Sequence, residues 1–223
     1  MSSDDPRSAA GGQHARGRLI VVSAPSGAGK SSVLERVLAR VANLRYSISY
    51  TTRKPRGAEV DGLNYHFVTS GEFSAMRDRG EFLEWAEVHG HYYATHRGVT
   101  EDMLAGGFDV ILDIDVQGAR LIRERAPDAV TVFILPPSQD ELRTRLQGRK
   151  LNERSDLERR LSNGASEVRA CHEFEYTIIN DDLERASASL EAIIVAERHR
   201  TERQRRAAES IIATFGGQSP DGK

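Results

Sequence analysis

The chain alternates short apolar runs with stretches in which apolar residues recur every three or four positions. Four runs are nearly continuous: Leu19-Ile-Val-Val22, Val110-Ile-Leu-Asp-Ile114, Val130-Thr-Val-Phe-Ile-Leu135 and Tyr176-Thr-Ile-Ile179. Such runs predict strands of a sheet covered on both faces, and their alternation with helical patterns predicts α/β layering with right-handed crossovers. Helix starts are marked by capping-box spacing at Thr69-Ser-Gly-Glu72 and Ser138-Gln-Asp-Glu141, with a close relative at Asp181-Asp-Leu-Glu184. The last helix carries Leu183, Ala186, Leu190, Ile193 and Ile194 on one face, enough to dock on a core. From about 49 to 97 the strand candidates (Tyr46-Ser-Ile-Ser-Tyr50, Tyr65-His-Phe-Val68, Tyr92-Tyr93) are shorter and more polar. Dense Gly, Tyr and charge there predict a small inserted lobe and not a continuation of the main sheet.

The first apolar run leads straight into Ala24-Pro-Ser-Gly-Ala-Gly-Lys-Ser31, followed by the helical pattern of Ser32-Val-Leu-Glu-Arg-Val-Leu. Strand, glycine-rich loop and helix in that order make a phosphate-binding loop. Its backbone N–H groups curl toward phosphate oxygens, and the helix N-terminus adds partial positive charge. In such a loop Lys30 reaches the β- and γ-phosphates and the Ser31 hydroxyl binds Mg²⁺. Ala24 stands where the usual pattern has glycine, which reduces backbone freedom at that position. A plain glycine-rich turn is the competing reading, and the flanking strand and helix argue against it.

Length and charge then narrow the classes. At 223 residues the chain can bury a substantial core, and a formal net charge of −2 exerts no global pull on nucleic acid or acidic membranes. No apolar stretch approaches the ~20 residues that span a bilayer. Cys171 is the only cysteine, which rules out an internal disulfide and fits a reducing cytosolic setting. Residues 1–17 read as a disordered leader without a signal-peptide core, and 216–223 as a polar tail. The basic run Arg198-His-Arg-Thr-Glu-Arg-Gln-Arg-Arg206 is interrupted by Glu202 and flanked by Glu197 and Glu209, so it reads as an exposed end of the last helix. His89, His91 and His96 lack metal-ligand partners at zinc spacing.

A second constellation lies in the small lobe: Ser49-Tyr-Thr-Thr-Arg53-Lys-Pro-Arg56, then Asn64-Tyr65, Phe82-Leu-Glu84-Trp85 and Tyr92-Tyr93-Ala-Thr95. Two guanidiniums and two phenols suit a phosphate monoester, although Arg53 and Arg56 by themselves read equally as solvated turn residues. With the phosphate-binding loop, Asp113-Ile-Asp115-Val-Gln-Gly118 and Ile179-Asn-Asp-Asp182, this set resembles the guanylate kinase family from about Arg18 to the last helix. The resemblance implies a P-loop NTPase-type parallel sheet core with helices on both faces, an inserted small mixed α/β GMP-binding lobe and a helical lid. The implied bounds are a domain over 18–215, with its core at 18–48 and 98–215, its lobe at about 49–97 and its lid at about 145–165.

It also implies roles. Ala24, Pro25, Ser26, Gly27, Ala28, Gly29, Lys30, Ser31 and Ser32 would hold ATP, with Asn180 near the adenine ring. Ser49, Glu84 and Thr95 would form the guanine pocket, where the Glu84 carboxylate accepts from N1–H and the 2-amino group. Arg53, Arg56, Tyr65 and Tyr93 would hold the GMP phosphate. Asp113 would brace GMP and Asp115 would serve Mg²⁺, directly or through water, although the residues alone leave open which of the two faces the metal. Alternation along one strand would put both on the same side. Arg145, Arg149 and Arg160 would be lid arginines that neutralise the moving phosphoryl group alongside Lys30. The segment Lys150-Leu-Asn-Glu-Arg-Ser-Asp156 departs from the family pattern, and Ala94 stands where the family often has glycine, which predicts crowding near the nucleotide.

The activity implied is transfer of the γ-phosphoryl group of Mg²⁺-ATP to GMP, with closure of lobe and lid around small-molecule nucleotides (ATP, GMP and, as a further acceptor to test, dGMP), without nucleic acid or membrane. Monomer and homo-oligomer remain equally open. A non-catalytic interaction module of the same kind and a sugar-phosphate kinase on the same scaffold are the alternatives.

Overall fold

The computed structural model describes residues 16–88, 90–147, 161, 164 and 166–215. Its contacts divide the chain into two compact units. One takes the described residues up to Val21 and Asn43–Val130; the other takes Val22–Ala42 and those from Thr131 onward. Residues 1–15 of the expected leader (1–17), the expected tail 216–223, most of the expected lid, Arg149, Arg160 and His89 lie outside the described residues. Arg16 and Gly17, expected within the leader, belong to the fold: Arg16 pairs with Glu101, and the buried Gly17 donates its N–H to the Leu104 carbonyl at 2.8 Å.

In the first unit the strands β1 (Leu19–Ser23), β2 (Leu44–Tyr46) and β7 (Asp109–Asp113) stand in the order β2-β7-β1. β2 pairs with β7 in parallel, Leu44 opposite Asp109. All five residues of β1 and the first four of β7 are buried, as continuous apolar runs require. A second, mixed sheet has the order β4-β3-β6-β5, from β3 (Tyr50–Thr51), β4 (His66–Phe67), β5 (Phe82–Val88) and β6 (His91–His96). β3 runs parallel to β4 and antiparallel to β6. One face of this sheet buries Phe73, Phe82 and Ala94, with Tyr50, Trp85 and Tyr92 packed around them. Phe73 comes from α2 (Ser70–Asp78), which starts with the full capping box expected at Thr69 and Glu72. The unit is completed by α3 (Arg97–Ala105) and by α4 (Val116–Arg125), which packs along β5.

The second unit holds the end of β1 followed by β8 (Val130–Leu135) and β9 (Tyr176–Ile179), the latter two parallel with Val132 opposite Tyr176. α1 (Lys30–Arg40) packs against α6 (Leu183–Arg198), whose Ala186, Leu190 and Ile194 are buried. α5 (Gln139–Gln147) seats Leu142 and Leu146 against Leu161, and α7 (Thr201–Thr214) follows with no buried residue. The parallel sheet core with helices and the second mixed sheet are the architecture expected.

Several local expectations change. The candidate strand 46–50 divides into β2 and β3, which belong to different sheets, because the chain crosses between them at residues 47–49. β5 was not expected as a strand, since Glu84 and Glu87 break its alternation. The Asp181 start shifts by one residue: Asp182 is the cap, accepting from the Arg185 N–H at 2.9 Å. Glu184 instead pairs with Arg36 and Arg40 of α1. The last helix is two helices, broken at His199 and Arg200, so the basic run straddles the break and is not one helix end.

Phe73 lies 4.7 Å from the ring of Phe82 and 5.3 Å from that of Tyr92. Phe73→Ala should destabilise the mixed sheet by about 3–5 kcal/mol. Trp85, the only tryptophan, packs on this cluster, so a urea titration followed by its fluorescence should show the midpoint falling.

Candidate active site

The loop between β1 and α1 lies in the second unit. Gly27 and Gly29 have φ of 90° and 89°, and a Cβ on Gly29 would stand 2.4 Å from Asn180 Nδ2. Only glycine fits there. Ala24 is not among the positive-φ residues, so the alanine brings no backbone strain. α1 starts after Gly29 without a side-chain cap, and a helix start of that kind suits an anion. Lys30 and Ser31 open that helix, Ser32 follows on its exposed side, and Ser26 is exposed at the loop's crest.

Asn180, expected near an adenine ring, has a buried side chain that donates from Nδ2 to the Ala28 carbonyl at 2.7 Å. Arg145 Nη1 donates to the same oxygen at 3.3 Å, while Nη2 donates to the Asn180 carbonyl at 3.0 Å and Nε to Glu141 at 2.8 Å. Of the three expected lid arginines, Arg145 is therefore set against the loop. Arg149 and Arg160 lie outside the described residues.

The residues expected to grip a phosphate lie in the first unit. Arg53, 6% exposed, makes a fork-to-fork pair with Glu59 at 2.8 and 2.9 Å. Its Nε donates to the Tyr93 hydroxyl at 3.3 Å, and its guanidinium lies 5.2 Å from the ring of Tyr65. The Tyr65 and Tyr93 rings meet edge-on at 5.9 Å. Arg56 keeps its side chain exposed and donates its backbone N–H to Glu59 at 2.7 Å. Glu59 was missed by the sequence reading; the signal was a lone acid three residues beyond a pair of arginines. The bond from Arg53 holds its carboxyl below the usual carboxylate range.

Glu84 is 3% exposed, and the Thr95 hydroxyl, itself 1% exposed, donates to its Oε1 at 2.7 Å. The two stand opposite each other across β5 and β6, next to a register shift between Phe82 and Glu84. That shift is a bulge at Leu83, whose carbonyl accepts from Arg125 at 2.7 Å. In a regular strand Phe82 and Glu84 would share a face. The bulge lets Phe82 and Trp85 both pack on the apolar cluster while Glu84 meets Thr95. Tyr93 and Thr95, two apart on β6, share the side opposite Ala94. Ala94 packs its side chain into the apolar cluster. Ser49 is buried just before β3, where its carbonyl accepts from the His66 N–H at 2.9 Å. Burial pushes the Glu84 carboxyl up to about 7, the Thr95 bond opposing the rise and the charge of Asp115 adding to it.

Asp113 ends β7 and accepts from the Tyr46 hydroxyl at 3.4 Å. Asp115 is past the strand: it caps α4, accepting from the Gly118 N–H at 2.9 Å and from the Gln117 amide at 3.2 Å. The strand ends one residue earlier than expected, so alternation does not govern Asp115 and the expected common side does not follow. His96 is likewise a helix cap, accepting from the Val99 N–H. Among the described residues no group of three His, Cys, Asp or Glu side chains could hold a metal ion, and no helix is long and apolar enough to cross a membrane.

The guanylate kinase family model matches residues 16–197. Over 184 residues the chain is 50% identical to the guanylate kinase of Aromatoleum aromaticum, covering 82% of this chain and 90% of that one. It is 46% identical over 207 residues to that of Chelativorans sp., covering 92% and 94%. Among solved structures, the guanylate kinase of Anaplasma phagocytophilum superposes with a TM-score of 0.76 at 33% identity, covering 92% of this chain and 99% of that one.

The double use of the Ala28 carbonyl makes Asn180 testable. Asn180→Ala removes a buried donor and should lower stability by about 1–3 kcal/mol in chemical denaturation. Binding of a nucleoside triphosphate, measured by calorimetry, should weaken with it.

Proposed function

The chain belongs to the guanylate kinase family, and on that premise we propose how its residues divide the transfer of the γ-phosphoryl group of ATP to GMP, which yields ADP and GDP. The observation that carries the proposal is the buried Glu84 carboxylate held by Thr95, on the strand pair whose neighbouring Tyr93 meets Arg53. One oxygen pair accepts from guanine N1–H and the 2-amino group. Adenine has an acceptor at N1 and no 2-amino group, so it would leave a buried charge unpaired, a difference that can reach ~10⁴–10⁵ in discrimination. Ser49 completes the base pocket, and Asp113 braces the nucleotide from the end of β7.

Arg53, Arg56, Tyr65 and Tyr93 grip the GMP phosphate. Glu59 is the residue that keeps the Arg53 fork and the Arg56 backbone in place for this. On the donor side, the loop from Ala24 to Ser32 wraps the ATP phosphates, and Asn180 acts as the brace of that loop. An oxygen of the GMP phosphate attacks the γ-phosphorus in line. The bond to the β,γ-bridging oxygen breaks, and that oxygen leaves with ADP. No covalent enzyme intermediate is required. Lys30, Arg145, Arg149 and Arg160 balance the charge spread over the moving group.

The donor set suits Mg²⁺: hard oxygens from a serine and single carboxylates, with no all-protein cage among the described residues, match an ion held largely by nucleotide phosphates and water. Ser31 would bind it directly. Asp115, with both oxygens already accepting hydrogen bonds, would act through water. Bound there, the ion supplies charge neutralisation and orientation of the β- and γ-phosphates. The single cysteine, Cys171, is consistent with a reducing cytoplasmic setting. The comparisons do not favour the non-catalytic module or the sugar-phosphate kinase.

ADP formation measured with GMP, dGMP, AMP and ribose phosphates tests the reading. GMP should be by far the best acceptor, and equal use of AMP would refute the role given to Glu84. Glu84→Ala should abolish the guanine preference, whereas Lys30→Ala should stop turnover and leave GMP binding intact.

The pH dependence has a definite sign. GMP needs the ionised carboxylate, and the proton competes for it with a pKa pushed up to about 7. KM for GMP should therefore rise as pH falls below that value, by at most about tenfold per pH unit. KM for ATP should not follow it, and Glu84→Gln should flatten the profile.

A further inference from the structure

Gly118 is the third residue of α4 and is buried. Its φ is not in the positive range that favours glycine, and glycine inside a helix is less stable than alanine. Backbone conformation therefore gives no reason for glycine at this position. The surroundings do. A Cβ at Gly118 would lie 2.8 Å from Glu84 Oε2, against 3.3 Å from Ile114 Cδ1 and 3.4 Å from Asp115 Oδ1. Only the contact with Glu84 is impossible, and the carboxylate, at the end of a side chain, is the group able to move.

The helix is tied down at both ends. Asp115 caps its start through the Gly118 N–H at 2.9 Å. At its other end Arg125 donates to the carbonyl of Leu83, the residue before Glu84, at 2.7 Å. Glu84 Oε1 is meanwhile held by Thr95 at 2.7 Å. A carboxylate pressed on Oε2 and anchored through Oε1 must rotate or break away from Thr95. Either motion spoils a pair of parallel hydrogen bonds to a purine edge and leaves the fold intact.

We propose that Gly118 is a positioning residue for guanine selection: by lacking a side chain it lets α4 lie directly against Glu84 and sets the plane of that carboxylate. The proposal rests on the reading of Glu84 as the guanine acceptor. Any side chain at 118 would separate stability from specificity, because the helix gains while the base reader is displaced.

The test is a double-mutant cycle on the full chain with Gly118→Ala, Glu84→Ala and both together, measuring KM for GMP, KM for ATP, AMP turnover and the melting temperature. Gly118→Ala should raise KM for GMP by about tenfold or more, since one lost or misaligned hydrogen bond to a charged group has that size. KM for ATP should hold, and the melting temperature should stay level or rise. In the Glu84→Ala background the same substitution should leave KM for GMP unchanged, because the colliding group is gone. Unchanged KM in Gly118→Ala, or an equal loss in both backgrounds, would overturn the proposal. Should Gly118→Ala alone fail to fold, folding of the double variant would support the collision with Glu84, and failure of both would place the crowding at Ile114 or Asp115 and overturn it. If Glu84→Ala by itself leaves KM for GMP unchanged, the reading of Glu84 fails first, and the proposal with it.

Discussion

The hydrogen bond from the Thr95 hydroxyl to Glu84 is the contact on which the acceptor half proposed for this enzyme depends. A carboxylate buried to this degree is costly unless it is hydrogen-bonded, and here Oε1 is satisfied from within the sheet while Oε2 lies against the helix at Gly118. The bond exists because β5 and β6 pair with a bulge at Leu83. Without the extra residue, Glu84 and Phe82 would compete for the same side of the strand. Arg125 satisfies the carbonyl that the bulge displaces, so the irregularity is supported by the helix that also flanks the carboxylate.

A comparable economy governs the donor half. Two glycines at positive φ bring the loop close to Asn180, and the Ala28 carbonyl then accepts from both Asn180 and Arg145. A loop whose N–H groups are proposed to meet phosphate has its Ala28 carbonyl tied down by side chains from β9's end and α5. This division is what lets a glycine-rich segment be both shaped and open to an anion. In the phosphate grip, Glu59 does similar work for Arg53: a fork-to-fork pair fixes the guanidinium plane, leaving Nε to Tyr93.

Much of this was legible in the residues. The continuous apolar runs located β1, β7 and β8 to within a residue, because strands buried on both faces favour apolar residues throughout. β9 was located as closely, but it is an edge strand with Thr177 and Ile179 exposed, not the doubly covered strand its run predicts. The phosphate loop was readable because its chemistry requires glycine at set positions, and a resemblance to one family follows from Arg53, Arg56, Glu84 and Thr95 at their spacing. What could not be read were consequences of pairing. The side to which Glu84 points depends on a bulge that period-2 reasoning treats as an error. The packing of Ala94 depends on which face of β6 it occupies, and Asp115 proved to cap a helix because the chain had already left β7.

By itself, then, the order of residues determined the α/β class, the position of the phosphate loop and the identity of the charged groups, since these depend on local periodicity and on side-chain chemistry. Only the tertiary structure decided that Asn180 and Arg145 share a loop carbonyl, that Glu59 pairs with Arg53, and that Gly118 leaves room for a carboxylate more than thirty residues earlier in the chain. Those relations are distances between segments remote in sequence, and no local pattern encodes how closely two such segments approach.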